Sequence, residues 1–335
     1  MSFYINGNYQ VIVSRANNGT QVYIPLRVDE DLVSDFPDSI DLKITNKCSN
    51  GCKFCHESST SDGKHFNLEK TCTMLSKLPK KPIEIAIGGG NIFEVWDDFF
   101  ELVKFIYSHN MRPRFTVNVI DLLKKENIEK INSLPDLVSR SGRFGIGISI
   151  PNLKPLMTLI DLQLEEINGS SSTKGYYANF WGRGFIKVFH IILGVFPVNE
   201  FDKLLKLARE EIFSVLILGY KQFGRAENES LPDMSDWKSE IKKALNKFNR
   251  SSNIPLVTVG FDNLAVEQLE LKDMVESKTW ESVYLGQDFS HSMYVDAVEE
   301  TFAPTSRSNK EDRVAWDSTT SIVDWFKENK KPWNS

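Results

Sequence analysis

Three of the four cysteines in this chain fall within eight positions. In the stretch CSNGCKFC, Cys48, Cys52 and Cys55 are spaced by three residues and then by two. Thiolates are soft ligands that select zinc, copper(I) or iron–sulfur clusters over hard cations. Three crowded thiols do not pair conveniently as disulfides. The N-terminus, MSFYINGNYQVIVSR, alternates apolar and polar residues and lacks the basic-then-apolar pattern of a secretion signal. The expectation is a cytoplasmic chain with reduced cysteines that bind metal. Structural zinc takes four ligands, usually as two pairs, and no second pair exists here. His56 and His65 are candidate fourth ligands for zinc. Cys72, 17 residues beyond Cys55 in a helical pattern, reads as a small buried apolar residue. A [4Fe–4S] cube fits the triad better, because three thiolates leave one iron open to an external ligand.

The elements that must position these thiols are legible as alternating patterns. Short apolar runs occur at SIDLKIT (39–45), IEIAIGG (83–89), RFTVNVI (114–120), FGIGISI (144–150), FIKVFHIIL (185–193) and SVLILGY (214–220). Continuous apolarity is expected of strands covered on both faces. Between them lie amphipathic segments such as NLEKTCTMLSKL, which starts at the N-cap candidate Asn67, and WDDFFELVKFIYSHN. Six βα units in series predict a parallel sheet, laid flat or curled into a barrel or partial barrel. Ahead of them, residues 1–37 read as a β-hairpin, FYINGNYQVIV and TQVYIPLRV, with its turn near Asn17-Asn18-Gly19. Residues 226–335 read as a C-terminal α+β extension packed on the barrel. It contains a strand in LVTVGFD, a helical LAVEQLELKDMVES, a hairpin in HSMYVDAVEETFAP turning near Val298-Glu299, and a closing helix SIVDWFKEN. The cysteines follow the first strand directly, at the C-terminal end where α/β proteins place their chemistry.

Cys-x3-Cys-x2-Cys after a first strand, with aromatic Phe54 before the last cysteine, resembles the signature of the radical S-adenosylmethionine (SAM) superfamily. The resemblance covers residues 38–225 and implies a partial (β/α)6 TIM-like barrel. It also implies that Cys48, Cys52 and Cys55 ligate a [4Fe–4S] cluster whose open iron is chelated by SAM. Reductive cleavage of SAM then gives a 5′-deoxyadenosyl radical that abstracts hydrogen from substrate. Relatives usually carry Gly-Gly-Glu-Pro at the end of the second strand to bind the SAM amino group. Here Gly88, Gly89 and Gly90 match in kind and Asn91 stands in the place of the acid. The resemblance further assigns Asn118, Ser149 and His190 as polar residues at the SAM site, and Ile217 and Leu218 as flanks for its adenine. A hydrogen-bonded core histidine is the other reading of His190, and one of the two flanks also reads as ordinary core.

No cysteine follows Cys72 in these residues, so the expectation is a chain without a cysteine-ligated auxiliary cluster. The C-terminal hairpin resembles in outline the extension of peptide-modifying relatives. The N-terminal sheet could pair with an extended peptide by strand addition, or plug the barrel's bottom. A peptide or protein substrate is therefore favoured, with a nucleotide or small metabolite as the alternative, and a non-catalytic metal-binding protein as the second. The loop HESSTSDGKHF offers His56, Glu57, Lys64 and His65 to substrate or SAM. An electron donor such as flavodoxin or ferredoxin is implied. Net charge is −5, from 40 basic and 45 acidic residues, which argues against binding nucleic acid by phosphate neutralisation. No apolar run is long enough to cross a bilayer.

Overall fold

The computed structural model describes residues 2–13, 21–27, 30–137, 144–169, 175–182, 185–211, 213–250, 258–284, 286–317 and 319–333. The expected turn at Asn17-Asn18-Gly19 lies outside them. The strands are β1 (Ser2–Asn6), β2 (Tyr9–Val13), β3 (Gln21–Pro25), β4 (Ser39–Thr45), β5 (Glu84–Gly89), β6 (Arg112–Asn118), β7 (Phe144–Ser149), β8 (Phe185–Ile192), β9 (Ser214–Leu218), β10 (Val259–Phe261), β11 (Ser292–Asp296), β12 (Thr301–Ala303) and β13 (Val314–Ala315). The six apolar runs correspond to β4 through β9. Two compact units emerge, one of Met1–Thr116, Ser133–Gly145 and Leu285–Ser335, the other of Val117–Asn132 and Ile146–Tyr284.

In the first unit the strand order is β6-β5-β4-β11-β12-β13, with β4 parallel to both β5 and β11. The C-terminal hairpin is thus a direct neighbour of the first apolar run, with Asp296 opposite Lys43. Ile40, Leu42 and Ile44 of β4 point to one face and are fully buried. Helix Trp96–Ser108 buries Phe99, Leu102, Val103 and Ile106, an i, i+3, i+4, i+7 stripe, and Phe99 meets Phe115 edge-on at 5.3 Å. Helix Leu68–Leu75 begins as its sequence predicts, with the Asn67 side chain accepting from the Lys70 amide at 3.0 Å.

The second unit holds the order β7-β8-β9-β10, parallel between β8 and β9 and between β9 and β10. Helix Phe201–Glu210 covers it with Phe201, Leu204, Leu205 and Ala208 buried at the same helical spacing. The segment read as one helix from Leu264 onward ends at Leu269, because Glu270 turns left-handed at φ 54. A short 3-10 turn, Leu271–Met274, follows.

The N-terminal stretch FYINGNYQVIV is two strands and not one. Gly7 at φ 57 opens a two-residue hairpin turn between β1 and β2, and β3 completes an antiparallel sheet. A Cβ on Gly7 would lie 1.7 Å from the Val33 carbonyl oxygen, so glycine is required there twice over. Alternation along β1 and β2 buries Tyr4, Asn6 and Tyr9 against the start of β4. There Asp38 accepts hydrogen bonds from Tyr4 at 2.8 Å, Asn6 at 2.8 Å and Tyr9 at 2.5 Å. Trp333 stacks on His291 at 4.4 Å beside them and meets Tyr9 edge-on.

Burial pushes the Asp38 carboxyl up to about 6, against the three hydrogen bonds that pull it down. Since the folded state binds this proton more tightly than the unfolded chain, the linked stability is full below the ordinary aspartate range. It is lost as pH rises through about 6. Urea unfolding should therefore show stability falling by roughly 2–3 kcal/mol between about pH 4 and pH 7 from this group. Asp38→Asn should flatten that part of the profile, and an unchanged slope would count against it.

Candidate functional site

The cysteine loop leaves β4 and folds back on it as a closed lobe. The Cys48 amide donates to the Thr60 carbonyl at 2.7 Å, Thr60 N–H to Asn46 at 3.0 Å, and Asn46 N–H to Lys64 at 2.8 Å. Within the lobe the Cys55 amide donates to Cys52 at 3.2 Å. The Ser58 amide donates to Cys55 at 3.3 Å across a left-handed Ser58. The Ser49 amide is held by Glu94 Oε1 at 2.8 Å. All three thiols are half-buried, as is Phe54. Burial pushes the Cys48 thiol up, the Asn50 amide pulls it down, and the charges of Glu94, Cys52 and Cys55 raise it further. Cys72, in helix Leu68–Leu75, is pushed up to about 11 by burial alone.

The glycine run of β5 is laced to this loop. Gly90 N–H donates to Thr45 at 2.7 Å and Asn91 N–H to Lys47 at 2.8 Å. A Cβ on Gly90 would lie 2.2 Å from the Lys47 carbonyl oxygen, and one on Gly89, at φ 117, 2.5 Å from that of Thr45. Close backbone approach to the cysteine loop explains these two glycines. Gly88 differs, because a Cβ there meets nothing within 4 Å. Asn91 is buried and its side-chain oxygen caps the following turn, accepting from the Phe93 amide at 3.1 Å.

Under the lobe lies a set of charges that sequence reasoning did not bring together. Lys43 Nζ contacts Glu57 Oε2 at 2.6 Å and Asp296 Oδ2 at 3.0 Å; Arg313 reaches the same Asp296 oxygen at 3.1 Å. Tyr294 donates to Glu57 Oε1 at 3.3 Å and lies under the Arg313 guanidinium at 5.0 Å. His56 Nε2 stands 3.5 Å from Glu57. Burial alone would raise the Glu57 carboxyl, but Lys43, His56 and Arg313 outweigh it and hold it below the usual carboxylate range. The available signal was a lysine inside the apolar run SIDLKIT, which has to be matched by an anion.

In the second unit, Ser149 and His190 are half-buried near the C-terminal ends of β7 and β8, and Ile150 N–H donates to the His190 carbonyl at 3.0 Å. Asn118 caps a short helix by accepting from the Ile120 amide at 3.0 Å. Ile217 is fully buried in the core and Leu218, next along β9, is half-buried. Beyond β9, Gly219 N–H donates to Asp262 Oδ1 at 2.9 Å; Tyr220 N–H donates to Gln268 Oε1 at 2.8 Å, and Gln268 Nε2 donates to the Tyr220 carbonyl at 2.9 Å.

Among the described residues, no three Cys, His, Asp or Glu side chains are gathered tightly enough to hold an ion as they stand. His65 instead faces Asp98 at 3.4 Å. What fits an iron–sulfur group is the donor chemistry: three half-buried thiols on one pinned loop. Asn46 Oδ1, at the root of the loop, is a buried acceptor with no partner in the structure.

No protein-family model and no curated protein matches the sequence. Solved structures of Streptococcus suis SuiB share the fold. SuiB bound to S-adenosylmethionine aligns with a TM-score of 0.61 at 12% identity, over 88% of this chain and 66% of that one. SuiB bound to precursor peptide SuiA aligns with a TM-score of 0.61 at 12% identity, over 88% and 65%. A further SuiB structure gives 0.63 at 11% identity, over 97% and 86%. This chain thus spans just under two thirds of the first two. No described helix is long and apolar enough to cross a membrane.

The glycine geometry separates folding from chemistry. Gly88→Ala should leave the urea midpoint within error of the parent. Gly89→Ala and Gly90→Ala should each lose about 2 kcal/mol or more, because the new Cβ meets backbone. Equal losses at all three positions would contradict this assignment.

Proposed function

We propose that this chain is a radical SAM enzyme acting on a peptide. The observation that carries the reading is the lacing of the glycine run of β5 onto the loop that bears Cys48, Cys52 and Cys55. Those cysteines would hold a [4Fe–4S] cluster, which with SAM supplies one-electron cleavage of the sulfonium and a carbon radical that takes hydrogen from substrate. The partial (β/α)6 barrel over 38–225, flanked by the N-terminal sheet and the C-terminal extension, belongs to the same reading. So do a cytoplasmic location and a flavodoxin or ferredoxin as donor.

The chain's own residues have separable tasks. Gly88 has open space before it and offers its backbone to the SAM amino group, while Gly89 and Gly90 bring β5 against the cysteine loop. Asn91 spends its side-chain oxygen on the Phe93 amide, so it acts on SAM by shaping the turn and not as a carboxylate would. Asn118 likewise caps a helix. Ser149 and His190 are polar groups near strand ends, as SAM's ribose and carboxylate require. Leu218 is the better adenine flank, since Ile217 is enclosed in the core. A peptide substrate is supported by the fold shared with SuiB, which has been solved with SAM and with a precursor peptide.

Anaerobically reconstituted and reduced with dithionite, the chain should convert SAM to 5′-deoxyadenosine and methionine. Cys52→Ala should reduce that yield by more than about 100-fold, the upper end of what loss of a mere outer-shell partner costs. Full cleavage activity in Cys52→Ala would overturn the reading. Gly88→Ala should raise the SAM concentration for half-maximal cleavage while leaving the fold intact.

A further inference from the structure

Burying four charges is costly, and such a network is weak evidence for stability. Lys43 and Asp296 are 3% and 0% exposed, and the Glu57 and Arg313 side chains 8% and 7%. Two cations face two carboxylates, so the set is closed and offers no spare charge to a ligand. Its members come from β4, from β11, from the residue preceding β13, and from the cysteine loop. Glu57 is the loop's representative, two positions after Cys55 and inside the Cys55–Ser58 turn. At its base the two legs of the lobe are joined by backbone bonds between Asn46 or Cys48 and Thr60. Around Cys55 the backbone bonds to Cys52 and from Ser58 are local, and the Glu57 side chain ties this turn to β4 and β11 through Lys43 and Tyr294.

We infer that Glu57 is a positioning residue for the cysteine loop, clamped by Lys43 and Tyr294 and backed by Asp296 and Arg313. The C-terminal hairpin thereby belongs to the cofactor machinery. The inference rests on the function proposed above. Its consequence is that residues far outside the family-like core decide where Cys55 and His56 stand.

The test is hydrogen exchange on the metal-free full chain, followed by spectroscopy after reconstitution. In Glu57→Gln, amides between Cys55 and Thr60 should exchange about 10-fold faster or more, as expected for loss of a charge-assisted hydrogen bond, while β1–β3 amides keep their protection. After reconstitution, Glu57→Gln and Arg313→Met should alter the electron paramagnetic resonance spectrum of the reduced cluster and its response to SAM. Glu57→Asp should restore it in part. Unchanged exchange and an unchanged spectrum in Glu57→Gln would overturn the inference. So would loss of β1–β3 protection in both Glu57→Gln and the milder Tyr294→Phe, since the network would then serve the whole fold. A loop loosened by Glu57→Gln, with a parent chain that never cleaves SAM, would leave the clamp standing and remove the function. Normal cleavage with an unmoved loop would do the reverse.

Discussion

Lys43 lies in the C-terminal half of β4, a strand with hydrogen-bonded neighbours on both edges, and only 3% of it is exposed. An ammonium group in that place needs anions within reach, because its desolvation is otherwise uncompensated. Much else in the first unit follows. Asp296 has to lie across from it, so β11 must run parallel beside β4 and the chain's last fifty residues must return to its first strands. Once there, Asp296 Oδ1 accepts from the Val298 and Glu299 amides and shapes the β11–β12 turn. Magnitudes rank this pair above its neighbours. Removing one partner of a buried pair costs about 3–5 kcal/mol, whereas an exposed pair is worth at most about 1. Lys70 with Glu300, at 2.6 Å but solvent-facing, is of the second kind.

A second constraint acts at the end of β5. Two glycines there are explained by the carbonyls of Thr45 and Lys47, which leave no space for a Cβ. A run of three glycines therefore serves two purposes. Two of them press the strand end onto the cysteine loop, and the third leaves the open space. The loop's placement and the space beside it are thus set by the same short segment.

The strands β4 to β9 were legible because burial on both faces leaves continuous apolar runs, and Asn67 was legible as a cap because the signal is local. Other features left no local trace. The pairing of β11 with β4 joins residues about 250 positions apart, and periodicity carries no information about partners at that distance. In the sequence Glu57 is one of four loop residues on offer to substrate or SAM, and its contact with Lys43 has no local signal. Asn91 and Asn118 were read toward a ligand, yet each side-chain oxygen caps a helical turn, a use the residue type favours wherever a helix follows. The turn at Gly7 was readable, since Asn-Gly between alternating strands is a strong hairpin signal.

The two ends of β4 differ in how their carboxylates are satisfied, and the difference suits what each end does. At the start of the strand Asp38 is met by neutral donors, two phenols and an amide, and burial raises it to about 6. Neutral donors tolerate either protonation state, so this end seals the sheet without fixing a charge. At the other end Glu57 is met by cations that keep it ionised against the same desolvation. A loop that must present three thiols to one group gains from an anchor whose charge does not fluctuate. The C-terminal ends of strands are where α/β proteins place such loops, leaving the opposite end to stability. The two arrangements meet β4 from its two sides, Asp38 just before Ser39 and Glu57 through Lys43.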